Sequence, residues 1–246
     1  MTTMVEGAGV ELACVQRGSG RAVLLIHGLA ADAQTLAPTA EALAGAGARV
    51  ITYDRRGYGS SGAPEPYEGT TVEEQAQDAV AVLGLLAASP AIVAGEGFGA
   101  LIALDLMKRH PALVAGAVLV DPPLLALVPA ATEALGAQRE RIQEAVWAHG
   151  PPAGVEAWLQ GRAEGPALER ARAAHRAFFA DYAGLAGWPV TRRELRAMGA
   201  TVVIVTGSAT PSEVGAAADA LNALLPNARH VTDGDVVAAV TSLLTR

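Results

Sequence analysis

The side chains able to move a proton are few in this chain. Glu96 lies within Gly95-Glu96-Gly97-Phe98-Gly99, where every second residue is glycine. Asp121 closes the aliphatic run that begins at Ala117. His175 shares a helical face with Leu168, Phe178 or Phe179, and Tyr182, a spacing that aims it into a pocket beneath that helix. Carboxylates and imidazoles at such places act as general acids and bases, so Glu96, Asp121 and His175 are the candidate catalytic residues. Each has a competing structural reading: Glu96 turned down beside a sheet, Asp121 as part of an Asp-Pro turn, His175 as a packed core residue. His27 reads as support for its own turn, Asp32 as a helix cap, His110 and His149 as helix-end residues, and His230 as a structural residue inside a strand. No P-loop, His-Glu-x-x-His or His/Cys cluster is present, so neither a metal nor a nucleoside triphosphate is expected. Gly95, Gly97 and Ala100 also fit a dinucleotide-binding turn, with Asp121 as the ribose acid.

These residues need elements to position them. Short aliphatic runs read as strands at Val10–Gln16, Val23–His27, Val50–Asp54, Ala91–Gly95, Ala117–Asp121, Val202–Gly207 and Arg229–Thr232. The run from Ala22 to Ile26 is continuous rather than alternating, as in a strand covered on both faces. Helical patterns lie between them at Thr35–Gly45, Val72–Leu86, Gly99–His110, Ser212–Leu225 and Asp235–Leu244. This alternation predicts an α/β fold, a mostly parallel sheet flanked by helices. It breaks between Pro122 and about Arg196, where only helices are read, at Thr132–Ala148, Val155–Gln160 and Pro166–Tyr182. The expected organisation is therefore a core of residues 1–121 and 197–246 with an all-helical cap, 122–196, inserted in it. Six of the ten aromatics fall in the cap: Trp147, Trp158, Phe178, Phe179, Tyr182 and Trp188. They read either as the roof of an apolar pocket or as packing of the cap onto the core.

Four segments resemble the α/β-hydrolase family with a helical cap. Leu25-Ile26-His27-Gly28-Leu29 resembles its His-Gly oxyanion turn, and Tyr53-Asp54-Arg55-Arg56-Gly57-Tyr58-Gly59-Ser60-Ser61-Gly62 its Asp-x-Arg-Gly-x-Gly-x-Ser loop. Gly95 to Leu104 matches its strand–elbow–helix unit apart from the nucleophile, and Arg109 to Pro122 the passage that precedes the cap. The resemblance implies an α/β-hydrolase fold. It also implies a Ser, then Asp or Glu, then His triad, and here the chain departs from it. The serine position holds Gly97; Thr210 holds the usual acid position; the histidine loop is reduced to Asp233-Gly234. Glycine has no hydroxyl, so no acyl-enzyme forms on it. The resemblance still implies an oxyanion hole made by the backbone amides of Phe98 and Leu29, which side-chain changes spare.

The expected ligand-facing set is thus His27, Gly28, Leu29, Gly97, Phe98, Trp147, Phe178, Phe179 and Tyr182. The leading expectation is a non-hydrolytic enzyme, a lyase, isomerase or cyclase acting on a small apolar carbonyl compound without a cofactor. The alternatives are a ligand- or partner-binding pseudohydrolase, an atypical ester hydrolase whose water is activated by Asp121, Glu96 or His175, and a dinucleotide-binding protein. The chain of 246 residues carries a net charge of −7 and is 51% hydrophobic. Nucleic acid and anionic membrane are therefore unexpected partners, and disorder is excluded. Cys14 is the single cysteine, Met1 to Gly7 has no signal-peptide character, and no apolar run is long enough to span a bilayer. The expected location is the cytoplasm.

Overall fold

The computed structural model describes residues 2–185 and 187–245. The outermost residues of the expected core, Met1 and Arg246, and Ala186 of the expected cap lie outside these. Eight strands form one sheet: β1 Thr2–Glu6, β2 Glu11–Arg17, β3 Ala22–Ile26, β4 Arg49–Tyr53, β5 Ala91–Glu96, β6 Val114–Val120, β7 Val202–Thr206 and β8 Ala228–Thr232. Their order is β1-β2-β4-β3-β5-β6-β7-β8. β1–β2 and β2–β4 pair antiparallel, and every later pair is parallel.

The central strands are buried on both faces, which is why they read as unbroken aliphatic runs. Leu24 and Ile26 of β3 belong to one core cluster, Val23 and Leu25 to the other. β7 splits the same way, with Val202 and Ile204 opposite Val203 and Val205. On the Val23 face lie α1 Ala37–Gly45 and the last helix, α10 Val236–Leu244; on the Leu24 face lie α2 Val72–Leu85, α3 Phe98–Arg109 and α9 Ser212–Asn222.

Between β6 and β7 the described chain forms helices and short 3₁₀ turns: α4 Thr132–His149, α5 Pro151–Leu159, α6 Gly165–Ala173, α7 His175–Leu185 and α8 Arg192–Ala197. The single helix expected over Pro166–Tyr182 is two. α6 stops at Ala174, whose N–H folds back onto Arg170 O and Arg172 O. Neither proline nor glycine marks that break. Each half is tied to the core by its own acid–base pair, α6 through Arg170 to Asp32 and α7 through Asp181 to Arg55, and a straight rod does not serve both. α5 starts earlier than the sequence suggests because Pro151 and Pro152 occupy its first turn, where a missing N–H costs nothing. β1 and α8 escape the sequence reading altogether. β1 is short and mostly exposed, and α8 is six residues opened by a Thr191–Glu194 capping box. No helix is long and apolar enough to cross a membrane among the described residues.

Candidate functional site

The Gly95–Gly99 run turns β5 into α3, and its three glycines have different causes. A Cβ on Gly95 would stand 2.1 Å from Gly99 O, and one on Gly99 would stand 2.3 Å from Ile26 O. Those two are glycine because backbone passes against backbone. The same close packing explains the pattern that mimics a dinucleotide turn. Gly97 differs: its φ is 53°, yet a Cβ there would meet nothing nearer than Gly28 Cα at 3.9 Å. The turn holds its middle residue in a left-handed conformation with space for a side chain that the sequence does not supply. The turn is fixed by Gly97 N–H donating to Val120 O at 2.9 Å.

Beside it runs the His27-Gly28-Leu29 turn. Arg55 N–H donates to His27 Nε2 at 2.9 Å, so that nitrogen is bare and the proton sits on Nδ1. Nδ1–H then donates to Gly28 O at 2.9 Å. Burial holds the ring's pKa well below the ordinary histidine value, helped by the Arg55 charge. His27 is a neutral strut, fully buried with both ring nitrogens engaged by backbone, and does not face a ligand as the expected set had it. The N–H groups of Leu29 and Phe98 have no hydrogen-bond acceptor among the described residues, which leaves two donors free at the elbow.

Two of the three candidate catalytic residues come together. Glu96 is exposed at the end of β5. Its carboxyl is pushed above the usual glutamate value, first by desolvation and then by the charge of Asp121. Asp121 follows β6 with φ at 46°. Its carboxyl is raised by burial and held back by a 2.5 Å hydrogen bond from Thr210 Oγ1 and by Arg162. Thr210, at the usual acid position, is therefore joined to the carboxylate that stands one strand away. Arg162 was not foreseen. It leaves the end of α5, donates to Leu159 O at 2.8 Å and Trp158 O at 2.5 Å, and stacks 4.3 Å over the Trp158 ring. Its charge favours the ionised forms of both Glu96 and Asp121.

His175 does not join them. It opens α7 after the break, contacts Arg172 O at 3.1 Å, and lines an open hollow with Pro152, Glu169 and Arg172. The face shared with Leu168 required an unbroken helix. His230 bonds Thr206 Oγ1 at 2.9 Å and Asp219 Oδ1 at 2.8 Å at the sheet edge. His110 bonds Gln77, and His149 is exposed at the end of α4. No histidine stands as a base at the elbow. Trp147 is 76% exposed and is no pocket roof. Phe178 is fully buried, edge-on to Trp158 and Phe179 and stacked on Tyr182 at 5.8 Å. Phe178 lies in the core cluster, with Trp158, Phe179 and Tyr182 packed against it. A cavity of about 40 Å³ remains between Ala30, Asp32, Tyr58, Ala167 and Arg170, room for one or two waters. Among the described residues no cluster of His, Cys, Asp and Glu is gathered for a metal.

A family model described as serine aminopeptidase, S33, matches residues 19–179, about two thirds of the chain. The uncharacterized hydrolase YraK of Bacillus subtilis is 39% identical over 127 residues, 52% of this chain and 46% of its own length. Bifunctional epoxide hydrolase 2 of Sus scrofa is 33% identical over 48% of this chain and 21% of its own. The chain thus spans about half or less of the length of these curated relatives. An α/β hydrolase from Sphaerobacter thermophilus superposes over 100% of this chain and 99% of its own with a TM-score of 0.77 at 22% identity. An esterase from Exiguobacterium antarcticum does so over 100% of both chains at 0.80 and 18%.

Proposed function

The chain belongs to the S33 serine aminopeptidase family of the α/β-hydrolases, and on that premise we propose that it is a member without acyl-transfer chemistry. It moves a proton next to the carbonyl of a small apolar compound, as an isomerase, lyase or cyclase. The carrying observation is the elbow itself: Gly97 holds the left-handed turn at φ 53° with an open space where a side chain would stand. The amides of Leu29 and Phe98, next in sequence to Gly28 and Gly97, have no acceptor among the described residues. A carbonyl oxygen received by them would gain negative charge as the neighbouring C–H bond breaks, and fixed donors stabilise such an enolate. The proton has a receiver and a source in the Asp121–Glu96 pair. Desolvation raises both carboxyls, and the charge of Asp121 raises that of Glu96 further. One carboxylate accepts the proton and, as the acid so formed, returns it to a different carbon.

The test is deuterium exchange at the α-carbon of small ketones and β-diketones in D₂O, followed by NMR. The expected result is accelerated exchange that falls by about 10²-fold or more in Asp121→Asn while the fold is kept. Exchange no faster than in buffer across the panel overturns the reading. A second reading, a binding pseudohydrolase, is favoured by the self-filled space under the helical insertion. It predicts probe-induced chemical-shift changes without exchange. Hydrolysis by carboxylate-activated water is favoured by the names of the relatives and predicts ester turnover that Asp121→Asn removes.

A further inference from the structure

The guanidinium of Arg55 is fully buried, yet it touches no space where a ligand would sit. Nε donates to His27 O at 3.0 Å and Nη2 to Gly28 O at 2.9 Å. Nη1 reaches Gln75 Oε1 at 2.6 Å and Asp181 Oδ2 at 2.7 Å. Gly28 O thus receives two donors from the core side, Arg55 Nη2 and His27 Nδ1. In a trans peptide the carbonyl and the following N–H point in opposite directions. Pinning Gly28 O inward therefore turns the Leu29 N–H outward, toward the elbow.

What holds Arg55 comes from the other side of the molecule's main seam. Asp181 stands on α7, in the helical insertion, and is itself fully buried. Its carboxylate also accepts from Tyr58 Oη at 2.8 Å and Gln75 Nε2 at 2.5 Å. Among the described residues it is the one carboxylate that ion-pairs with Arg55. A buried guanidinium left without its counter-ion is strongly unfavourable, so lifting α7 away obliges Arg55 to leave its carbonyls and find water or another acid. We propose that Arg55 is the positioning residue of the oxyanion turn, and that Asp181 couples the orientation of the Leu29 amide to the seating of the helical insertion on the core. The insertion then acts as a lid whose closure completes the site rather than merely covering it. This rests on the reading of the Leu29 N–H as an oxyanion donor.

The experiment is backbone amide NMR on the full chain without substrate, comparing the unmodified protein with Asp181→Asn and Asp32→Asn. Asn keeps the shape of Asp181 and removes its charge. Asp32→Asn loosens the other link between insertion and core, the Asp32–Arg170 pair, without touching Arg55. The expected result is displaced and broadened Gly28 and Leu29 resonances in Asp181→Asn alone. The Gly97 amide, bonded to Val120 O, stays in place. Should Asp181→Asn not fold, Tyr58→Phe removes one donor from the same carboxylate, keeps the ring, and shifts the same two amides less. Unmoved Gly28 and Leu29 amides overturn the inference. So does an equal displacement at Gly97, or in Asp32→Asn, which signals general loosening. Since no turnover is read, a displaced Leu29 amide beside inert carbonyl probes sinks the proposed function and leaves this coupling standing.

Discussion

A side chain at position 97 is opposed by conformation and not by space. Left-handed φ costs an L-residue about 1–2 kcal/mol, and the nearest atom to a Cβ there is 3.9 Å away. Gly97→Ala is therefore expected to fold and to lose about 1–2 kcal/mol in urea denaturation. Gly95→Ala and Gly99→Ala place a Cβ 2.1 and 2.3 Å from backbone oxygens, and are expected to give no folded protein. Equal losses at all three would contradict the geometry. Glu96 carries a pH signature. Its folded pKa lies above the unfolded one, so the native state binds more protons between the two and its stability falls as pH rises through that window. Glu96→Gln should accordingly melt higher than the parent above the raised pKa and equally below the ordinary glutamate value; a lower melting temperature at neutral pH speaks against the shift. Gly97, Glu96 and Asp121 were legible in the sequence because a turn pattern and a strand end mark them. The Thr210–Asp121 bond, across 89 residues, and Arg162, which follows a helix end without a motif, were not.

The helices between β6 and β7 show where periodicity fails. A 3.6-residue repeat runs unbroken through Ala174, yet the chain bends there to satisfy two anchors on the core. His175 is lost from the site by that bend, and no local signal announces it. The two anchors differ in kind. Arg55–Asp181 is wholly buried, whereas Arg170 keeps 34% of its side chain exposed. Breaking a buried pair from one side costs about 3–5 kcal/mol, so Asp181→Ala should lose that much stability. The Arg170 end of the second pair is partly open to solvent and screened, and Asp32→Asn, which keeps an acceptor for Gln34 N and Thr35 N, should lose less than Asp181→Ala. Similar losses in urea for the two variants would refute the distinction. Arg55 was visible within its motif, but its partner Asp181 was an ordinary aspartate on a helix.

At the scale of the whole molecule the alternation of aliphatic runs and helical patterns carried the parallel sheet, because central strands buried on two faces leave little freedom of composition. The exposed edge strand β1 carries no such constraint and went unread. On the proposed reading the chain keeps the His-Gly turn, the elbow and its free amides but not the groups of acyl transfer. Position 97 lacks a hydroxyl, Thr210 stands at the acid position, and His230 is spent on Thr206 and Asp219. Restoring one group alone should restore nothing. The most direct measurement is p-nitrophenyl acetate turnover, with its pre-steady-state burst, for the unmodified chain and for Gly97→Ser side by side. The account predicts neither burst nor turnover above buffer in either protein. Turnover by the unmodified chain, or a burst in Gly97→Ser, would reveal a working base at the elbow and contradict it.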